Sequence, residues 1–208
     1  MKEVVEKLNI LKMIGTKESL DYRLKEAIKG DLTYQDFLLL VLEDETLYRA
    51  NRRSEMLKRR AKFKDRATLE EFEADPKRGV PKSMVKQLQT LQFMTGFENL
   101  VLFGGTGAGK SYLAQAIGNA ACQSGRAVMF VPMNYLFSQI KAAEKAGTYL
   151  FFLRRLGGVA LLILDDFGLR SYTHHEATIL YQILEDRYQS GSTIITTQVR
   201  PLGWKDLF

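Results

Sequence analysis

The chain has 208 residues, a net charge of +6 and an apolar share of 46%, enough for one sizeable core with a smaller appended domain. No apolar run approaches the roughly 20 residues of a membrane-spanning helix, and the charged opening MKEVVEKLNILKMIG lacks a signal-peptide pattern. A single cysteine, Cys122 in the small-residue run AQAIGNAACQSG, excludes an internal disulfide and reads as core filler, so the expectation is a cytoplasmic protein without a membrane partner.

Residues 1–66 contain no convincing strand. LNILKMIG reads as the end of a first helix. TKESLDYRLKEAIKG places Leu20, Leu24, Ala27 and Ile28 on one helical face, with Thr16 before it and Gly30 after it as end signals. A long third helix follows. Thr33 is its expected N-cap, with Asp36 reaching back, and Leu32 and Phe37 stand where a hydrophobic staple forms. Its basic end suits the helix dipole. Residues 49–66, RANRRSEMLKRRAKFKDR, carry nine Lys or Arg against two acids. Such a block points to a polyanion partner; a solvated helix face is the alternative.

The linker ADPKRGVPKS holds two of the four prolines. It separates a helical domain over residues 1–75 from a lead-in helix around KQLQTLQFM, within 76–98. From residue 99 onward strands alternate with helices. NLVLFGG, AVMFVP, ALLILDD and STIITTQ read as strands. SYLAQAIGNAACQSG, NYLFSQIKAAEKAG, TYLFFLRRLGG and HHEATILYQILEDRYQSG read as helices. That alternation predicts an α/β domain over 99–208, with a parallel sheet covered on both faces.

The chemistry begins at GGTGAGKS. Gly104, Gly105, Thr106, Gly107, Ala108, Gly109, Lys110 and Ser111 match the P-loop spacing G-x-x-x-x-G-K-[ST]. The glycines let backbone N–H groups turn inward around a phosphate, and the helix starting near Lys110, with Tyr112 in its first turn, adds its positive end. Lys110 reaches the β- and γ-phosphates and the Ser111 hydroxyl binds Mg²⁺. The apolar strand ALLIL delivers Asp165 and Asp166 at its carboxyl end, where sites lie in open α/β sheets. Asp165 suits Mg²⁺, and Asp166 is placed to orient or activate water. STIITTQ brings Thr196, Thr197 and Gln198 to the same edge. There Gln198 is either a water or γ-phosphate partner or an ordinary strand end.

Weaker candidates remain. The adjacent His174 and His175 cannot share a helix face as ligands, and Thr173 with Glu176 reads as a capping box around them. Arg187 either touches a neighbouring protomer's nucleotide or, as the preferred reading, forms a salt bridge within its own helix. Lys141, Lys145, Arg154 and Arg155 grip a phosphate backbone or form a solvated face. The chain has no N-K-x-D for guanine and no L-S-G-G-Q of transport ATPases.

The stretches GGTGAGKSYLAQAIGNAACQSG, GTYLFFLRRLGGVALLILDDFGL, LEDRYQSGSTIITTQ and PLGWKDLF together resemble the IstB-type helper ATPases of bacterial insertion sequences. These are AAA+ proteins related to the helicase loader DnaC and the initiator DnaA. LYRANRRSEMLKRRAKFK resembles the family's basic helix. The resemblance implies an ATPase that binds ATP and Mg²⁺, assembles on duplex DNA as an ATP-dependent homo-oligomer, and assists a cognate IstA-type transposase. It places Lys110 and Ser111 in Walker A, Asp165 and Asp166 in Walker B, and Gln198 at sensor one. It favours Arg52, Arg53, Arg59 and Arg60 as DNA contacts. Lys141, Lys145, Arg154 and Arg155 fall where initiator-type proteins carry a DNA-contacting insertion. The family continues beyond its W-x-x-x-F stretch into a lid and arginines, so the resemblance implies a shortened chain with impaired hydrolysis. A DnaC-like helicase loader and a non-hydrolysing, nucleotide-gated DNA-binding module are the alternatives.

Overall fold

The computed structural model describes residues 1–208. Two compact units divide at Glu55 and Met56, ahead of the boundary suggested by the change in composition near residue 75. The reason is packing: Leu57 and Ala61 join the apolar core of the second unit.

The first unit holds helices α1 (Lys2–Ile10) and α2 (Ile14–Gly30), and the first part of α3 (Tyr34–Ala61). Thr33 precedes α3, accepting the Asp36 N–H at 3.2 Å and donating its hydroxyl to Asp36 Oδ2 at 2.6 Å. Thr16 does not begin α2, which starts two residues earlier. It is buried instead, donating its hydroxyl to the Val41 carbonyl at 3.0 Å and its N–H to Glu45 Oε2 at 3.1 Å. Beside it, a Cβ at Gly15 would collide with Tyr48 and the Asp44 carbonyl. The close crossing of α2 and α3 therefore needs glycine followed by a small hydroxyl. Leu20 is buried, whereas Ile28 is 82% exposed and stands outside the expected apolar face.

Arg23 locks the same helix pair, donating from Nε and Nη2 to the two Asp44 oxygens at 2.8 and 2.7 Å. This pairing lowers Asp44 to about 2. In the second unit, Arg170 holds Glu176 down to about 2 in the same way. A carboxyl depressed on folding stabilises the fold fully above its unfolded pKa, and that stability is lost as pH falls through the folded value. Both pairs should therefore lose their contribution between about pH 4.5 and 2. Thermal melts across this range check the sign. Asp44→Asn should lower the melting temperature at pH 7 and show a smaller further loss on acidification than the parent chain.

In the second unit the expected lead-in helix is two helices, α4 (Lys82–Gln89) and α5 (Gln92–Thr95). Leu91 between them has a φ of 54°, and the break turns Leu91, Phe93 and Met94 into the core. The alternating region forms β1 (Leu100–Phe103), α6 (Lys110–Gln123), β2 (Val128–Pro132), α7 (Met133–Lys145), α8 (Tyr149–Gly157), β3 (Leu161–Phe167), α9 (His174–Asp186) and β4 (Ser192–Thr197). The four strands are parallel, in the order β1-β4-β3-β2.

Alternate residues of β2, β3 and β4 enter two cores. Phe130, Leu161, Ile163 and Ile194 pack with α6, while Val131, Leu162, Leu164 and Ile195 pack with α7, α8 and α9. Only β1 departs from the expected two-sided cover. Its Val101 and Phe103 are exposed on one open face, whereas β2, the other edge strand, is covered on both.

Candidate nucleotide-binding site

Parallel strands deliver all their carboxyl ends to one edge of the sheet. There β1 runs into Gly104, β3 ends in Asp165, Asp166 and Phe167, and β4 runs into Gln198. The Gly104 N–H donates to the Thr197 carbonyl at 3.2 Å, holding the start of the loop against β4. Gly107 and Gly109 have φ of 75° and 83°, a conformation that disfavours side chains. Around Gly105 and Gly107 the space is open. No side chain caps α6, whose first residue is Lys110. Its leading N–H groups face the loop with the positive end of a helix of 14 residues behind them. Lys110 Nζ lies over the loop, donating to the Gly105 carbonyl at 2.8 Å. The Thr106 hydroxyl donates to Gln198 Oε1 at 2.9 Å, so Gln198 meets the loop directly.

The two aspartates are arranged by a bulge. Leu164 pairs with Ile195 and Phe167 with Thr197, leaving Asp165 and Asp166 opposite Thr196 alone. The Thr196 hydroxyl donates to Asp165 Oδ1 at 2.7 Å and accepts the Asp166 N–H at 2.9 Å. Asp165 is 1% exposed. Asp166 adopts a φ of 61°, uncommon for a residue with a side chain, and lines a cleft of about 240 Å³ with Asn134 and Arg170. Thr196 was legible only as a polar residue at the strand end. Its position across both acids needs the bulge.

Three further residues join this edge without a sequence signal. Gln115, one turn after Ser111 and buried, accepts the Lys64 and Asp65 N–H groups at 2.7 and 3.1 Å. Lys64 Nζ stands 3.8 Å from Asp165 Oδ2. Phe72 stacks on Tyr112 with ring centroids 6.3 Å apart, and its edge lies 3.7 Å from where a Gly109 Cβ would sit.

A protein-only metal cage is absent, since no three His, Cys, Asp or Glu side chains cluster for one. The donor set of one hydroxyl, Ser111, and one carboxylate, Asp165, nonetheless fits Mg²⁺, which keeps several waters and takes substrate phosphates as ligands.

The remaining candidates separate. Arg52, Arg53, Arg59 and Arg60 are exposed on α3, and Lys141 and Lys145 are exposed on α7. Arg154 and Arg155 are exposed in the last turn of α8, which leads to the amino end of β3 and away from the glycine loop. His174 and His175 open α9 behind a complete Thr173–Glu176 capping box. Burial pushes the Cys122 thiol up to about 11, matching an inert core residue. Arg187 corrects both readings offered for it. It is 2% exposed, beyond a neighbour's reach, and its partners are carbonyls and a hydroxyl rather than a helix carboxylate.

A parallel sheet carrying a strand–glycine loop–helix unit, with paired aspartates on a neighbouring strand, defines a P-loop protein. The family model described as IstB-like ATP binding protein matches residues 5–208, and the chain belongs to that family. It is 32% identical over 203 residues to an insertion sequence ATP-binding protein of Sinorhizobium fredii, covering 98% of this chain and 83% of that one. A Mycobacterium tuberculosis ATP-binding protein in an insertion sequence is 34% identical over 204 residues, with 97% and 80% covered. The fold is similar to AMPPCP-bound DnaA from Aquifex aeolicus, with a TM-score of 0.59 and 24% identity over 67% of this chain. The chain spans 43% of that DnaA structure. The DnaC helicase loader has a TM-score of 0.56 and 24% identity, with 68% of this chain and 84% of that one covered. No helix is long and apolar enough to cross a membrane.

Proposed function

We propose that this protein binds and hydrolyses Mg–ATP, assembles through it as a homo-oligomer on duplex DNA, and so assists a cognate IstA-type transposase of its insertion sequence. The observation that carries the reading is the bulge at Asp165 and Asp166, which sets both acids against Thr196 at the edge that holds the glycine loop. Lys110 binds the terminal phosphates, and the loop N–H groups from Gly104 to Tyr112 cradle the chain of phosphates. Phe72 and Tyr112 supply an apolar platform for the purine. Ser111 and Asp165 would hold Mg²⁺, which would supply positive charge against the bound phosphates. Asp166 accepts the proton of the attacking water, and Gln198 orients that water or the γ-phosphate. The helices of residues 1–55 and the basic run that follows them serve DNA and transposase, and the unit from Met56 to Phe208 holds the ATPase core.

Steady-state phosphate release with and without duplex DNA tests the reading. DNA-stimulated turnover is expected. Binding without turnover under both conditions would leave a nucleotide-gated DNA-binding module in its place.

The DNA-facing arginines carry their own prediction. Arg52, Arg53, Arg59 and Arg60 offer charge to phosphates and no base-reading motif. Replacing all four with Gln should weaken binding uniformly across sequences, reducing the log–log salt slope by about 0.9 for every duplex phosphate no longer neutralised. Anisotropy titrations at several salt concentrations measure this. An unchanged affinity and slope would make the block a solvated face and shift attention to Lys141, Lys145, Arg154 and Arg155.

A further inference from the structure

We infer that Lys64 is a resident counter-ion of the metal site, that it yields its place to Mg²⁺, and that its released ammonium joins the DNA contacts of the basic segment. The inference rests on the Mg–ATP and duplex-DNA reading above and adds a physical link between the two ligands.

The backbone at Lys64 is fixed to the P-loop helix. Lys64 and Asp65 donate their N–H groups to Gln115 Oε1. The amide at the other end of Gln115 donates to Asp65 Oδ2 at 3.1 Å and to the Ser111 carbonyl at 3.2 Å. The end of the basic block is thus tied to the helical turn that carries Ser111. From this anchor the Lys64 side chain, about half exposed, runs past the Phe130 ring to within 3.8 Å of Asp165 Oδ2.

Charge balance gives the position its meaning. Asp165 is buried, and Thr196 occupies its Oδ1. Oδ2 is the oxygen turned to a cation, and Lys64 supplies one. A buried carboxylate is costly without such a partner. The ion pair is long and half solvated, so releasing Lys64 costs little. An ammonium and a divalent cation at the same oxygen repel each other, and the flexible four-carbon stem lets Lys64 swing out to solvent. There it lies in the segment that carries Arg59, Arg60, Lys62 and Arg66. Linkage is reciprocal, so DNA that holds Lys64 away from Asp165 favours Mg²⁺ at that oxygen.

The experiment uses the full chain and two variants, Lys64→Gln and Lys64→Arg. Mg²⁺ is titrated at fixed ATP concentration without DNA. Duplex DNA binding is measured over a salt series with and without Mg²⁺ and a non-hydrolysable ATP analogue. In Lys64→Gln, half-saturation by Mg²⁺ should fall by about two- to fivefold, the scale of a half-exposed ion pair. The nucleotide-dependent increment in salt slope should shrink by about 0.9, the value for one neutralised phosphate, with the nucleotide-free slope unchanged. Lys64→Arg should keep the parent behaviour. Unchanged Mg²⁺ affinity in Lys64→Gln overturns the exchange, and weaker Mg²⁺ affinity overturns it in favour of a direct bond from Lys64 to the nucleotide. A parent chain that binds neither Mg–ATP nor duplex DNA overturns the underlying reading as well, an outcome visible before any variant is compared.

Discussion

Lys110→Ala should lower ATP affinity by about a hundredfold or more, the size of losing a charge-assisted hydrogen bond of ~3 kcal/mol. Lys110 is half-buried and begins α6, and its ammonium already lies across the loop at the Gly105 carbonyl. A terminal phosphate in the loop meets that ammonium before any other mobile cation of the loop. The change removes one loop hydrogen bond, so the melting temperature should move by only about 2–4 °C, the equivalent of ~1 kcal/mol in a chain of this size. Asp166→Asn gives the contrasting result. Asn tolerates the left-handed backbone that Asp166 adopts, and the N–H bond to Thr196 survives. Nucleotide affinity should therefore hold while turnover falls by about 10²–10⁴, the contribution of a positioned general base. Fluorescent-nucleotide titration and phosphate release on the same preparations separate the two variants. Parent-like affinity in Lys110→Ala would remove the P-loop assignment.

The largest stability effect is expected at Arg187. Nη1 donates to the carbonyls of Leu156, Gly157 and Val159 at 2.8, 3.1 and 2.9 Å. Nη2 reaches the Ser192 carbonyl at 2.6 Å and Nε reaches Thr193 Oγ1 at 3.0 Å. No carboxylate balances the charge, and desolvation lowers its pKa to about 10. The guanidinium is the only group type with enough fixed donors to join the end of α8 to the start of β4 in this way. Arg187→Ala leaves a cavity and several carbonyls without their donor, a loss of about 3–5 kcal/mol. That corresponds to a fall of roughly 10 °C in melting temperature for a chain of this length. These partners lie at the amino ends of β3 and β4, opposite the glycine loop, so the folded fraction at low temperature should bind ATP normally. A variant with parent stability and lost turnover would instead show Arg187 acting on a nucleotide.

Features carried by neighbouring residues were legible before the fold was known. The glycine octet implies a turn closed to most side chains, and in the fold Gly107 and Gly109 are the two with left-handed backbone. The apolar runs that became β2 and β3 are packed on both faces, as unbroken apolar stretches suit. Thr173 with Glu176, and Thr33 with Asp36, needed only the spacing of one helical turn. Tertiary contact overruled local preference elsewhere. Thr16 has the chemistry of an N-cap, yet its hydroxyl is used by Val41, 25 residues away. Arg187 has an acid-rich helix behind it, yet it bonds to a turn 31 residues earlier, because folding buries it among free carbonyls. The same holds at the candidate site. Sequence spacing identifies the glycine loop and the two aspartates. Placing Thr196 across both acids takes the pairing of β3 with β4. Bringing Lys64 to Asp165 takes the hydrogen bonds of Gln115, 50 and 51 residues from its partners. A polar side chain takes whichever buried partner the closed chain presents, and that choice is made only when distant segments meet.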